Sequence, residues 1–276
     1  NVAVGAGALD DLEANATTAD GNVAIGYAAA GEIDTGSANV AIGTASLDTA
    51  TGAVSNCTLV GTRTGAAIDN TSANGTVAVG YYALNDLTNG IQNTAVGYQA
   101  LDAEVEGDYS TAFGYAALTA QTGTDGTVAN TAIGSNSLGS ITTGTHNIGL
   151  GSNTLYTATT ALRNVSIGFN TMTDTKAAIA VADCVAIGYE ALKGHSSNTT
   201  ADVSGTVAIG KDALKLCVSG AGNVAVGYKA GSALTSGDGN TAVGYESLYT
   251  DDLGFGTTAI GYRACYYQNS DDSDEV

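Results

Sequence analysis

Few residues in this 276-residue chain are of types that carry out chemistry. There are two histidines, His146 and His195, and four cysteines, Cys57, Cys184, Cys217 and Cys265. Paired carboxylates stand at Asp10-Asp11 and Asp251-Asp252. Two carboxylates flanking a sugar would serve glycoside hydrolysis. No pair here recurs with supporting residues, so the chain is not read as an enzyme. Neither histidine has the spacing of a metal motif. The acidic pairs are candidate calcium ligands, but the Gly-Gly-x-Gly-x-Asp phrase of calcium-binding β-rolls is absent. No cofactor is expected.

Charge narrows the partners. With 27 acidic against 8 basic residues the net charge is −19, and such a chain is repelled by phosphate backbones. Nucleic acid is therefore not an expected partner, and the acid surface reads first as a device for solubility. No continuous apolar run reaches the length of a membrane-spanning helix, so the chain is not expected to span a membrane.

The elements that position these residues come from a repeat. The phrases Asn22-Val-Ala-Ile-Gly26, Asn93-Thr-Ala-Val-Gly97 and Asn223-Val-Ala-Val-Gly227 are versions of one motif. Its closing glycine occurs fifteen times, at Gly5, Gly26, Gly43, Gly61, Gly80, Gly97, Gly114, Gly134, Gly151, Gly168, Gly188, Gly210, Gly227, Gly244 and Gly261. Eight of the fourteen intervals are 17 residues and none is shorter. A minimal coil with insertions follows, since a loosely averaged period would scatter both ways. One such unit cannot bury its own apolar face, whereas stacked copies can.

Each column predicts a role. The strand phrase alternates β-branched residues with Ala, a signature of extended chain. The expectation is that Val/Thr and Val/Ile fill the coil interior while Ala and Gly face out. Ala24, Ala78, Ala95, Ala112, Ala225 and Ala242 would then bed a neighbouring protomer. The marker glycines, among them Gly26, Gly43, Gly80, Gly97, Gly114, Gly134, Gly188, Gly210, Gly227, Gly244 and Gly261, supply the turn. Tyr follows the glycine in eight copies, and a small residue then Leu come after it, read as a second short strand. A Gly three places before the opening Asn, as at Gly36, Gly90, Gly107, Gly144, Gly220, Gly237 and Gly254, is expected to give the return turn its positive φ. The opening Asn, present in nine copies, can ladder amide to amide.

The fold class predicted is all-β: a parallel β-solenoid, or β-roll, of about fifteen coils with two short strands per coil. Residues 1–265 form the repeat domain and 266–276 an acidic tail. In that register His146 and His195 lie three coils apart, roughly 14 Å, too far for one site. Cys57 and Cys184 lie seven coils apart, beyond the roughly 7 Å reach of a disulfide, so the four thiols are read as free. Insertions fall on one edge, at Thr17 to Gly21, Thr122 to Val128, Thr173 to Asp183 and Lys193 to Ser204, where protruding loops are expected. A flat threonine array would suit ice binding. The candidate column mixes six Thr with eight Val and Ile148 and is expected to point inward.

The phrase Asn-Thr/Val-Ala-Val/Ile-Gly-Tyr-x-Ala-Leu resembles the β-roll repeats of trimeric autotransporter adhesin heads, and is similar to repeats of phage tail fibre proteins. The resemblance runs from Asn1 to about Cys265. It implies a homotrimer serving as the shaft or head of a fibre that projects a host-binding tip, with host surface glycans contacted through the inserted loops. A phage tail fibre in the virion is the first expectation. A bacterial surface adhesin, in an extracellular cell-surface fibre, is the alternative, ahead of an ice-binding or calcium-binding solenoid. Asn1 opens flush with a repeat phrase, so the chain is read as a segment of a longer fibre.

Overall fold

A computed structural model describes residues 1–11, 19–123, 126–174, 181–194 and 202–268. It is an all-β, parallel β-solenoid in which each repeat phrase forms one three-residue strand. Two compact units divide it, Asn1–Asn136 and Ser137–Val276. In the first, Val2–Val4, Val23–Ile25, Val40–Ile42, Thr58–Val60, Val77–Val79, Thr94–Val96, Thr111–Phe113 and Thr131–Ile133 pair in chain order. In the second, Ile148–Leu150, Val165–Ile167, Val185–Ile187, Val207–Ile209, Val224–Val226, Thr241–Val243 and Thr258–Ile260 do the same. Within each unit register is kept, so that Ala78 meets Ala95 and Ala208 meets Ala225, with Leu59, Gly149 and Ser166 in the alanine place of their own strands. Parts of the four inserted loops (17–18, 124–125, 175–180 and 195–201) lie outside the described residues, as do 12–16, His195 and 269–276.

The strands face the opposite way from the sequence expectation. Ala24, Ala78, Ala95, Ala112 and Ala225 are fully buried within their own coil, and Ala242 nearly so. They are therefore not a protomer surface. The flanking residues point out, as shown by Val79, Phe113, Ile133 and Leu150 at 37–57% exposure. Alternation fixes two faces but not which is inner; volume decides that. The opposite wall sends fully buried leucines into the coil, among them Leu47, Leu84, Leu101, Leu118, Leu138 and Leu155. Between two backbones this close, a large residue from one wall leaves room only for a small one from the other. Alanine takes that place, while Gly149 does so with the Leu138 side chain directly against it.

The leucine-bearing segment is not a second strand. Residues two and four places after the marker glycine take positive φ, such as Gln99 and Leu101 (both 51°) or Glu246 (51°) and Leu248 (50°). Alternating handedness sends their amides in opposite directions along the axis. Gln99 N donates to Tyr81 O in the preceding coil at 2.9 Å, and Leu101 N donates to Ala117 O in the following one at 3.0 Å. A left-handed non-glycine residue costs roughly 1–2 kcal/mol. The conformation persists because every coil repeats it and each displaced amide finds a partner there. A second ladder occurs locally, where Gly107–Asp108 pairs with Gly126–Thr127.

The return turn also differs in detail. Its left-handed residue sits immediately before the Asn column, as at Ala38 (57°), Gln92 (54°), His146 (60°) and Gly222 (69°). Of the expected return glycines only Gly220 and Gly237 have positive φ (118° and 122°). At Gly36 and Gly90 the requirement is closeness, because a Cβ would run into the Val54 or Gly107 carbonyl.

The marker glycines take φ between 126° and 145° in all fifteen copies. For thirteen of them a Cβ would lie no more than 2.6 Å from the carbonyl oxygen of the next marker glycine. The Asn column closes the coil on its other side. Asn39 Nδ2 donates to Val54 O (2.7 Å) and Asn22 Oδ1 (3.1 Å), and its own Oδ1 accepts from Cys57 N (3.0 Å). The same arrangement joins Asn223 to Asn240 and Asn147 to Asn164. It satisfies buried amides that a turn would otherwise leave unpaired.

Candidate functional site

What the coil presents outward is an array of columns. The first pair, Val/Thr and Val/Ile, gives each unit an apolar strip, since both outward positions of every strand are aliphatic or Thr except Phe113. The threonine column expected inside belongs to this strip, with Thr58 and Thr258 exposed.

Around the corner runs the tyrosine column. Tyr81, Tyr98 and Tyr115 stack with centroids 5.2 and 5.4 Å apart, and Tyr228, Tyr245 and Tyr262 at 5.1 and 5.4 Å. Interplanar angles of 10–18° put ring on ring. Most faces are thus covered by neighbouring tyrosines and only edges meet solvent. Sugar stacking needs a free face, which leaves the ends of each ladder and the isolated Tyr27, 67% exposed between coils carrying Ala6 and Thr44. The second unit adds an aromatic pair that sequence reasoning missed, Tyr249 on Tyr266 at 4.9 Å. Tyr266, assigned by sequence to the tail, thereby packs with the last coil.

Charge is unevenly placed. Residues 1–136 contain fourteen acidic residues and one basic, Arg63. Asp10, Asp11, Glu32 and Asp48 line one open cavity beside Tyr27. In the second unit Glu190 accepts from Lys193 (3.1 Å) and Lys215 (2.6 Å), and Lys215 also pairs with Asp212 (3.4 Å). Burial pushes the Glu190 carboxyl up, but the two ammonium groups outweigh it and hold the carboxyl below its ordinary value. Lys211 lies over Tyr189 and Tyr228, Lys229 over Tyr228 and Tyr249. Arg263 pairs with Glu246 at 2.8 Å and covers Tyr262 and Tyr266.

Glu104 is a buried carboxylate although its loop reads as solvated acid. Its Oε1 accepts from the amides of Val105 (2.9 Å), Glu106 (3.2 Å) and Gly107 (2.7 Å), and its Oε2 accepts from Gln121. Gln121 in turn accepts from Asn130. This cluster holds a long loop closed by charge-assisted bonds to backbone.

The remaining chemical candidates are scattered. His146 contacts Thr145 Oγ1 at 3.0 Å on a return turn. Cys57, Cys184 and Cys217 are buried and Cys265 is exposed, all as free thiols. Burial pushes Cys184 up to about 11 and Cys217 up to about 12, so neither is a thiolate nucleophile at neutral pH. Asp251 is buried, while Asp10 and Asp11 are exposed. Among the described residues no three His, Cys, Asp or Glu side chains are placed to hold a metal ion, and no helix is long and apolar enough to cross a membrane. The chain matches no family model, no curated protein and no solved structure.

Proposed function

We propose that this chain is a structural segment of a fibre, a homotrimer whose copies meet through the outward Val/Thr and Val/Ile columns. The observation that carries this is the outward column before the marker glycines, Val, Ile, Leu or Phe113 in every copy of each unit. Exposed apolar patches beyond a few hundred Å² mark interaction sites. A partner must match a surface that repeats at the coil spacing, about 4.8 Å, and another copy in register does so residue for residue. The contact expected at the alanine columns thus moves to their aliphatic neighbours. Three copies, a place in a phage tail fibre and display of a host-binding tip follow the repeat resemblance, as does contact with a host glycan. The role is mechanical: identical layers, each hydrogen-bonded to the next, resist extension and hold whatever stands at the tip away from its base.

Light scattering coupled to size exclusion tests the assembly. The chain should elute at three times its 27.2 kDa mass. Phe113→Asp with Ile133→Asp, both on the outward face, should give a folded monomer by circular dichroism. A folded wild-type monomer at micromolar concentration would overturn the proposal.

A further inference from the structure

The segment after the marker glycine is acidic on the first coils of the first unit and carries more lysine than acid on three coils of the second. In the first it presents Asp10, Asp11, Glu32 and Asp48 on three successive coils. Among the described residues of that unit no carboxylate is in an ion pair. In the second unit the equivalent segment presents Lys193, Lys211, Lys215 and Lys229, again on three successive coils. Lys193 and Lys215 are matched by Glu190 and Asp212. Among the described residues Lys211 and Lys229 have no carboxylate within ion-pair distance; both lie over tyrosine rings at 5.5–5.9 Å, and Lys229 also hydrogen-bonds Tyr228 and feels the Asp212 charge at longer range. A ring face balances an ammonium only in part, so two cationic heads one coil apart stay available in a chain of net charge −19.

We propose that this lysine–tyrosine face is a docking surface for the acidic face of the first unit of another copy of the chain. Such a lateral contact lies apart from the apolar strip and does not depend on the fibre reading. Both sets of charges recur coil by coil, about 4.8 Å apart along the axis, with Lys211 one place and Lys229 two places after their marker glycines, so a carboxylate meets an ammonium at each of two successive coils. A partner of unrelated repeat would fall out of step after one or two contacts. Overall repulsion between copies does not forbid the contact, because at physiological salt charges beyond about 8 Å are screened. The tyrosine edges between the lysines supply the apolar part of the surface.

Sedimentation velocity of the full chain tests this. At about 0.1 M salt a species larger than the high-salt assembly should form, and it should vanish near 1 M, where the Debye length has shrunk from about 10 to about 3 Å. Lys211→Glu with Lys229→Glu should abolish it at low salt, as should Asp10→Lys with Glu32→Lys and Asp48→Lys. Each variant should keep the wild-type circular dichroism and high-salt mass. Mixing the two variants, which exchange the signs of the faces, should restore the larger species. Absence of a salt-sensitive species in the wild type, its survival in either variant, or failure of the mixture to restore it would overturn the proposal. So would binding of a polyuronate to the wild type without self-association, which would mark the face as a glycan site. The mass at high salt reports on the apolar assembly separately.

Discussion

Replacing Gly188 by Ala should cost far more than replacing Gly222 by Ala, although both glycines have positive φ. Gly222 has φ 69° and open space where a Cβ would go. Its substitution carries only the left-handed penalty, roughly 1–2 kcal/mol. Gly188 has φ 131°, and a Cβ there would lie 2.6 Å from Gly210 O and 2.7 Å from Gly210 C. A carbon and a carbonyl oxygen normally stay at least about 3.3 Å apart, so two coils must separate by about 0.7 Å. The flanking ladder bonds, Gly188 N to Ile167 O at 2.8 Å and Gly210 N to Ile187 O at 2.7 Å, cannot both survive that. Each is worth about 0.5–1.5 kcal/mol net, and backbone strain in this region adds about 1–3. The expected loss is about 3–5 kcal/mol, some 2–3 more than for Gly222→Ala. Solenoid stability is a sum of local terms, so native-state hydrogen exchange is the suitable assay. Protection should fall chiefly at Val185–Gly188 and Val207–Gly210. Equal effects of the two substitutions, within about 0.5 kcal/mol, would refute the close-approach reasoning.

Asn39→Leu should destabilise by about 2–4 kcal/mol in urea, because the Cys57 amide and Val54 carbonyl lose their partner while buried. Tyr98→Ala should cost about 1–3 kcal/mol by removing two stacked pairs, whereas Tyr27→Ala, which has no stacking partner among the described residues, should be close to neutral in the same assay. An aromatic-disulfide thiol reagent at pH 8 should label Cys265 alone until denaturant is added; rapid labelling of Cys184 or Cys217 in the native protein would contradict their burial. The lowered Glu190 pKa means the folded state binds its proton more weakly than the unfolded chain. Its contribution to stability is therefore present above about pH 4.5 and disappears as pH falls through the lowered folded value; Glu190→Gln should flatten that part of an acid denaturation curve.

The repeat of fifteen marker glycines was enough to determine coil length, parallel register and the solenoid class, because columnar identity has no other economical cause. The asparagine ladder and the stacking of tyrosines were legible for the same reason: equal positions in equal coils must lie above one another. Which strand face turns inward was not. A three-residue strand alternates whether Ala or Val is inside, and the choice rests on the leucines arriving from the opposite wall. The left-handed Gln99 and Leu101 were hidden too, since neither residue type favours that conformation and only the amide partners in adjacent coils make it worthwhile. The placing of Lys211 and Lys229 over tyrosine rings, the buried Glu104 and the acidic face around Tyr27 likewise required the fold. Some of their partners, such as Gln121 for Glu104 and Tyr228 for Lys211, are 17 residues away in sequence, where only tertiary stacking decides which groups meet.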